Sequence, residues 1–115
     1  MAREFLHAVD DILETIVAIE KASAGKSFED FKSDWVLRRA LERGIEIISE
    51  ASRAIPDDAK TLEPDVPWRS VHAIGNVLRH QYHNLSDRII WNVIVDELPR
   101  LKVAMTSIRR KTDNQ

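Results

Sequence analysis

Apolar residues recur along this chain at steps of three and four, the period of an α-helix with one buried face. Phe5, Val9, Ile12, Ile16 and Ile19 form the first stripe, which Leu6, Leu13 and Val17 broaden. It predicts a helix from residue 3 to about 23, wide enough in its apolar face to touch two neighbours. Asp10, Asp11, Glu14 and Glu20 fall outside the stripe, and Lys21 stands in the last turn, where the helix dipole favours a cation. His7 reads as a surface or boundary residue. Gly25 is a natural stop. Ser27-Phe28-Glu29-Asp30 reads as a serine cap and a short helix with acids in its first turn, and Phe28 and Phe31 tuck under the bundle.

Ser33 or Asp34 caps the next helix, which runs to about Ala54 with Leu37, Leu41, Ile45, Ile48 and Ile55 as its buried line. Gly44 lies inside it at a cost of about 1 kcal/mol relative to alanine. A close helix crossing accounts for that, and so does plain tolerance. Trp35, at the helix start, reads as a lid or an interface residue. Pro56-Asp57-Asp58 ends this helix. The dozen residues that follow, with Pro64 and Pro67, form a connection too polar and too broken for a strand. After Pro67 a new helix starts at about Trp68, with Val71, Ile74, Leu78 and Tyr82 as its apolar stripe. Asn84-Leu85-Ser86-Asp87 is a turn, and Ser86 caps the last helix. Ile90, Ile94, Leu101, Met105 and Ile108 continue the core there, and Pro99 should kink or split that helix. Arg109-Arg110-Lys111 makes a basic end expected to fray from about residue 109. No repeat and no β pattern occurs. The prediction is all-α: an antiparallel bundle of four long helices plus one short helix, residues 1–115 forming a single domain.

The helix from Trp68 differs from the others on its polar side. Arg69, His72, Asn76, Arg79 and His80 spread away from the apolar stripe, and Asn76 and His80, four apart, are neighbours. Three of the four histidines and the only tyrosine lie between Trp68 and His83. Lysine and glutamate, the usual solvent-facing residues, are absent from Trp68 to Asn84. Histidine is a poor choice for solubility alone, because its charge is uncertain near neutral pH.

Composition narrows the class. The 115 residues are 43% hydrophobic and 31% charged, which fits an ordinary globular domain. A core of that size is modest, and dimerisation would help it. There is no cysteine, which excludes disulfides and thiolate metal sites and fits an intracellular, cytoplasmic setting. No run of about 18 apolar residues is present to span a membrane. The early acids and the lack of an apolar core segment argue against a signal peptide. A net charge of −2 gives no general grip on nucleic acid, so any RNA must be held at a local basic cleft. His72, His80 and His83 lack a carboxylate at ligand spacing, and no zinc or glycine-rich phosphate motif occurs. No metal and no cofactor are expected.

Four blocks in order carry a resemblance: Pro67-Trp68-Arg69, Gly75-Asn76-Val77-Leu78-Arg79-His80-Gln81-Tyr82, Ile90-Trp91, and Glu97-Leu98-Pro99-Arg100-Leu101-Lys102. Over nearly the whole chain they resemble the HepT branch of the HEPN superfamily. The resemblance implies a HEPN-type helical bundle. It also implies a toxin that cleaves RNA, such as tRNA, without a metal and is encoded beside an MNT-type nucleotidyltransferase antitoxin. The family motif is Arg, a polar residue, three more residues, His, one residue, and Tyr. Asn76, His80 and Tyr82 match its polar, His and Tyr positions. Gly75 holds the place of the family arginine, which is half of the family's catalytic pair, and Arg79 stands directly before the histidine.

An RNase of this kind must take the 2′-hydroxyl proton, protonate the leaving oxygen and stabilise phosphorane-like charge. His80 is the expected acid–base group, with Asn76 and Arg79 on the nonbridging oxygens. Arg69, His72 and His83 are candidates for further phosphate contacts. A homodimer would join two such sets in one cleft. The resemblance also implies that Tyr82 can be nucleotidylated by the partner, which would place bulk and negative charge beside His80 and Arg79; a packed ring is its other reading. Gly75 supports a different class, a weak or inactive binding module retained as partner of a nucleotidyltransferase.

Overall fold

A computed structural model describes residues 5–69, 71 and 86–113. Its first helix, α1 (Leu6–Ser23), buries Val9, Ile12, Ile16 and Ile19 along the predicted stripe. Ile12 and Ile16 are fully buried, which is worth about 1.5–3 kcal/mol for each such side chain. The chain leaves the helix at Ala24 and turns at Gly25, whose φ of 71° lies in the left-handed region that glycine enters without a Cβ penalty. His7 is exposed.

The short helix α2 (Phe28–Ser33) opens on a reciprocal cap. The Asp30 N–H donates to Ser27 Oγ at 3.1 Å, and the Ser27 N–H donates to Asp30 Oδ2 at 2.9 Å. These bonds from Ser27, the backbone one first, hold the Asp30 carboxyl below its ordinary pKa. Of the two α2 rings, Phe31 is fully buried and Phe28 half-buried. Helix α3 (Trp35–Ser52) follows at once. Asp34 is its cap, accepting from the Leu37 N–H at 3.1 Å, while the Ser33 hydroxyl turns back to the Glu29 carbonyl.

Helix α3 lays Leu37, Leu41, Ile45 and Ile48 into the core and packs chiefly on α1. Gly44 marks the crossing. A Cβ there would lie 2.7 Å from Ile19 Cδ1 and 2.9 Å from its Cγ1, closer than real carbons approach. Close crossing, not tolerance, is therefore the reason for this glycine. The helix ends at Ser52, slightly before the expected Ala54, and Ile55 is buried beyond it.

The polar connection is more regular than expected. It holds one helical turn, α4 (Asp57–Lys60), which begins after Pro56 and buries Ala59. Proline costs nothing at such a start, because the first amides of a helix lack partners anyway. Trp68, Arg69 and Val71 are helical, and the Val71 N–H donates to the Pro67 carbonyl at 3.1 Å, so a helix begins where Pro67 predicts.

Ser86 caps the last helix by accepting from the Ile89 N–H at 3.2 Å. The run continues as α5 (Asp87–Asn92), a π-helical turn (Val93–Glu97) and α6 (Leu98–Asp113). The π turn is how the chain accommodates Pro99. A proline cannot donate to the carbonyl four residues back, and its ring would clash there. Widening the preceding turn relieves this, and the Leu98 N–H reaches the Val93 carbonyl, five residues back. The helix is thus widened at Pro99 and not split. Ile90, Ile94, Leu101, Met105 and Ile108 are buried as predicted.

The basic end expected to fray from about residue 109 is helical through Asp113. Arg109 pairs with Asp10 at 2.6 Å, and Thr112 is buried. Lys102 pairs with Glu20 at 2.9 Å. The two pairs run in opposite chain order, so α1 and α6 are antiparallel. The described residues form an all-α bundle, and no helix among them is long and apolar enough to cross a membrane.

Candidate active site

The catalytic candidates Asn76, Arg79 and His80 lie outside the described residues, as do Tyr82, His72, His83 and Gly75. Of the predicted site residues the structure places Arg69, which is exposed in the first turn of its helix. The described residues on either side of the motif stretch form two shoulders.

The first shoulder is built around Trp68. Its indole N–H donates to the Glu63 carbonyl at 3.2 Å, and the Lys60 ammonium sits 5.8 Å from its ring. Lys111, from the end of α6, donates to the Leu62 carbonyl at 3.3 Å and lies 3.7 Å from the Glu63 carboxylate. These contacts tie the polar connection to Trp68 and to the end of α6.

A cleft of about 730 Å³ opens beside this shoulder. Its lining includes Ile45, Val71 and Leu101, with Glu63, Asp65, Glu97 and Arg100 among its polar groups. Among the described lining groups, Glu63 is paired with Lys111, which leaves Asp65 and Glu97 beside Arg100. Apolar contact is what it can offer.

The second shoulder joins α3 to the start of α5. Arg38 pairs with Asp87, and Glu42, with its side chain 8% exposed, is held at 2.6 Å by Arg39 and at 4.0 Å by Arg38. A carboxylate this buried needs such cations. Phe31 lies 5.5 Å from the ring of Trp91, and Arg88 lies over Phe28. Trp35 is 67% exposed, with Arg39 at 5.7 Å from its ring, a position that suits either a lid or an interface. Glu42 escaped the sequence reading because an acid in a helix normally faces solvent. The available signal was its spacing, three and four residues after Arg39 and Arg38.

The described helices form an α-helical bundle, and the His-, Asn- and Arg-bearing stretch of the sequence runs between the turn that starts at Trp68 and the Ser86 cap. The chain belongs to the HepT-like ribonuclease family: the family described as "Ribonuclease HepT-like" matches residues 12–108. It is similar to "Probable ribonuclease HepT" of Thermococcus cleftensis, 36% identical over 96% of this chain and 100% of that protein. It is similar also to "Putative RNase TTE0752" of Caldanaerobacter subterraneus subsp. tengcongensis, 35% identical over 90% of this chain and 92% of that one. A third relative, "Putative RNase MJ1380" of Methanocaldococcus jannaschii, is 30% identical over 80% of this chain and 84% of its own. No solved structure matches the chain.

Proposed function

We propose that this protein is a metal-independent endoribonuclease, the toxin of a HEPN/MNT toxin–antitoxin pair. The observation that carries the reading is Asn76, His80 and Tyr82 at the family spacing, within a chain that belongs to the HepT-like ribonuclease family. The relatives' printed names, "Probable ribonuclease HepT" and "Putative RNase TTE0752", point the same way.

In this reading two protomers bring their motif helices together, and RNA, such as tRNA, lies in the shared cleft. His80 removes the 2′-hydroxyl proton, and the freed oxygen attacks the adjacent phosphorus. The bond to the 5′-oxygen breaks, and an imidazolium, from His80 of either protomer, protonates that leaving group. Asn76 and Arg79 donate to the nonbridging oxygens as charge builds there. With glycine at position 75, the volume of the family arginine side chain is open for Arg79, one turn on, to fold back into. Nucleotidylation of Tyr82 by the MNT-type antitoxin silences the cleft through bulk and repulsion of the RNA phosphate.

The test is cleavage of RNA by the purified protein in EDTA. Wild type cuts and His80→Ala does not. Equal cutting by both would remove His80 from the chemistry. Mass spectrometry after co-expression with the neighbouring nucleotidyltransferase gene should find the added nucleotide on Tyr82.

Gly75 favours a second reading, a binding module with little or no catalysis. Loss of a transition-state donor typically costs about 10²–10³-fold in rate. Harmless expression without the neighbouring gene, joined to tight binding of its product, supports the module. Growth arrest abolished by His80→Ala supports the enzyme.

A further inference from the structure

We propose that Arg88, propped on the ring of Phe28, is a phosphate-binding site for RNA, one that the family motif does not include. The proposal rests on the ribonuclease reading above and adds a second point of substrate contact to it.

Arg88 follows Ser86 and Asp87 in the first turn of the last helix, five residues after His83. A cation there opposes the helix dipole, so helix stability gives no reason for it. Its neighbour Asp87 does not neutralise it, because that carboxylate pairs with Arg38. Among the described residues no carboxylate lies within ion-pair distance of Arg88. The other cations of this corner are matched. Arg39, also set against a ring, pairs with Glu42 at 2.6 Å, and Lys32 pairs with Glu29 at 3.2 Å.

The Arg88 guanidinium is nevertheless held in place. Its central carbon lies 3.8 Å from the centroid of Phe28, a half-buried ring of α2 packed against the core. Cation–π attraction favours this placement, and the Lys32 ammonium also stands 5.2 Å from the same ring. A guanidinium with one face on a ring still has its N–H fork to offer to two oxygens of a phosphate. A net charge of −2 makes such a fixed, unneutralised cation matter more, since the whole-molecule field does not gather RNA. Ile89 beside it is exposed, as are Trp35 and Val36 at the start of α3. Those apolar groups would suit a protein partner, and an acidic one would also pair with Arg88, which is why oligomeric mass is measured beside the salt slope.

The experiment measures binding of a fluorescently labelled oligouridylate by anisotropy across a salt series, together with cleavage kinetics. Wild type is compared with Arg88→Ala, Arg88→Lys and Phe28→Leu. Arg88→Ala should reduce the slope of log K against log salt by about 0.7, the value of one contact to a single strand. It should raise KM severalfold with kcat unchanged, as expected for a contact made equally before and during the reaction. Arg88→Lys should keep the slope. Phe28→Leu should weaken binding while keeping the slope, because the charge remains but its platform is gone. Unchanged affinity and slope in Arg88→Ala, with wild type binding and cutting, would overturn this site and leave the ribonuclease reading standing. An Arg88→Ala protein with altered oligomeric mass and an unchanged slope would overturn it in favour of a protein contact. A wild type that neither binds nor cuts RNA would end both.

Discussion

The crossing of α1 over α3 and the corner where α2, α3 and α5 meet are joined by different means. At the crossing, Gly44 lets Ile19 approach its backbone, and Ile12, Ile16, Leu41 and Ile45 are buried with almost no exposure. At the corner, Phe31 packs on Trp91, and Arg38 on Asp87 and Arg88 on Phe28 add charged contacts that are partly open to solvent. Apolar packing is indifferent to salt and intolerant of lost volume. Charged contacts tolerate rearrangement and are screened.

The largest effect that would break this contrast is on the apolar side. Ile16→Ala should cost about 2–5 kcal/mol in chemical denaturation, because a fully buried side chain leaves a cavity that its neighbours fill only in part. A cost no greater than that of a surface substitution would show that the crossing is not the rigid region. A smaller loss is expected at the corner. Arg38→Ala leaves Asp87 without its partner, but the arginine side chain is 31% exposed, so about 1 kcal/mol is expected after solvent screening. That loss should shrink between low and high salt. The Ile16→Ala loss should not, and the difference in salt response is the sharper measurement.

The smallest effect concerns Asp30. Its carboxyl is held below the ordinary value by the bonds from Ser27, so its charged form is favoured in the folded state. The cap therefore contributes fully above the unfolded carboxylate pKa, and its contribution is lost as pH falls through the lower folded value. Protection of the amides at the start of α2, taken relative to intrinsic exchange, should fall over that acid range in wild type. In Asp30→Asn that fall should disappear. An unchanged acid response in that variant would place the titrating group elsewhere.

Much of the bundle was legible because its signals are local. The stripe from Val9 to Ile19, the Ser27 cap and the Ser86 cap each depend on residues within a turn or two, and local geometry carries them into the structure unchanged. The choice between Ser33 and Asp34 as cap was less visible, because both residues have an oxygen at usable distance and only the chain direction decides between them. The motif at Asn76, His80 and Tyr82 was legible as a spacing of residue types along the chain, which is a different kind of information from a contact.

By itself the sequence determined the helical periods, the caps, the family and the residues that could do the chemistry, because all of these are written in order and spacing along one strand of chain. Only the tertiary structure decided that Gly44 is a contact point, that Glu42 is buried between two arginines, that Pro99 is met by a π turn, and that Arg109 ties down the last helix. Arg88 on Phe28 belongs with these. The residues lie 60 positions apart, and nothing in either neighbourhood names the other. The physical reason is the same throughout: a period is the property of one helix, but burial, ion pairing and close approach are properties of two surfaces that meet only after folding.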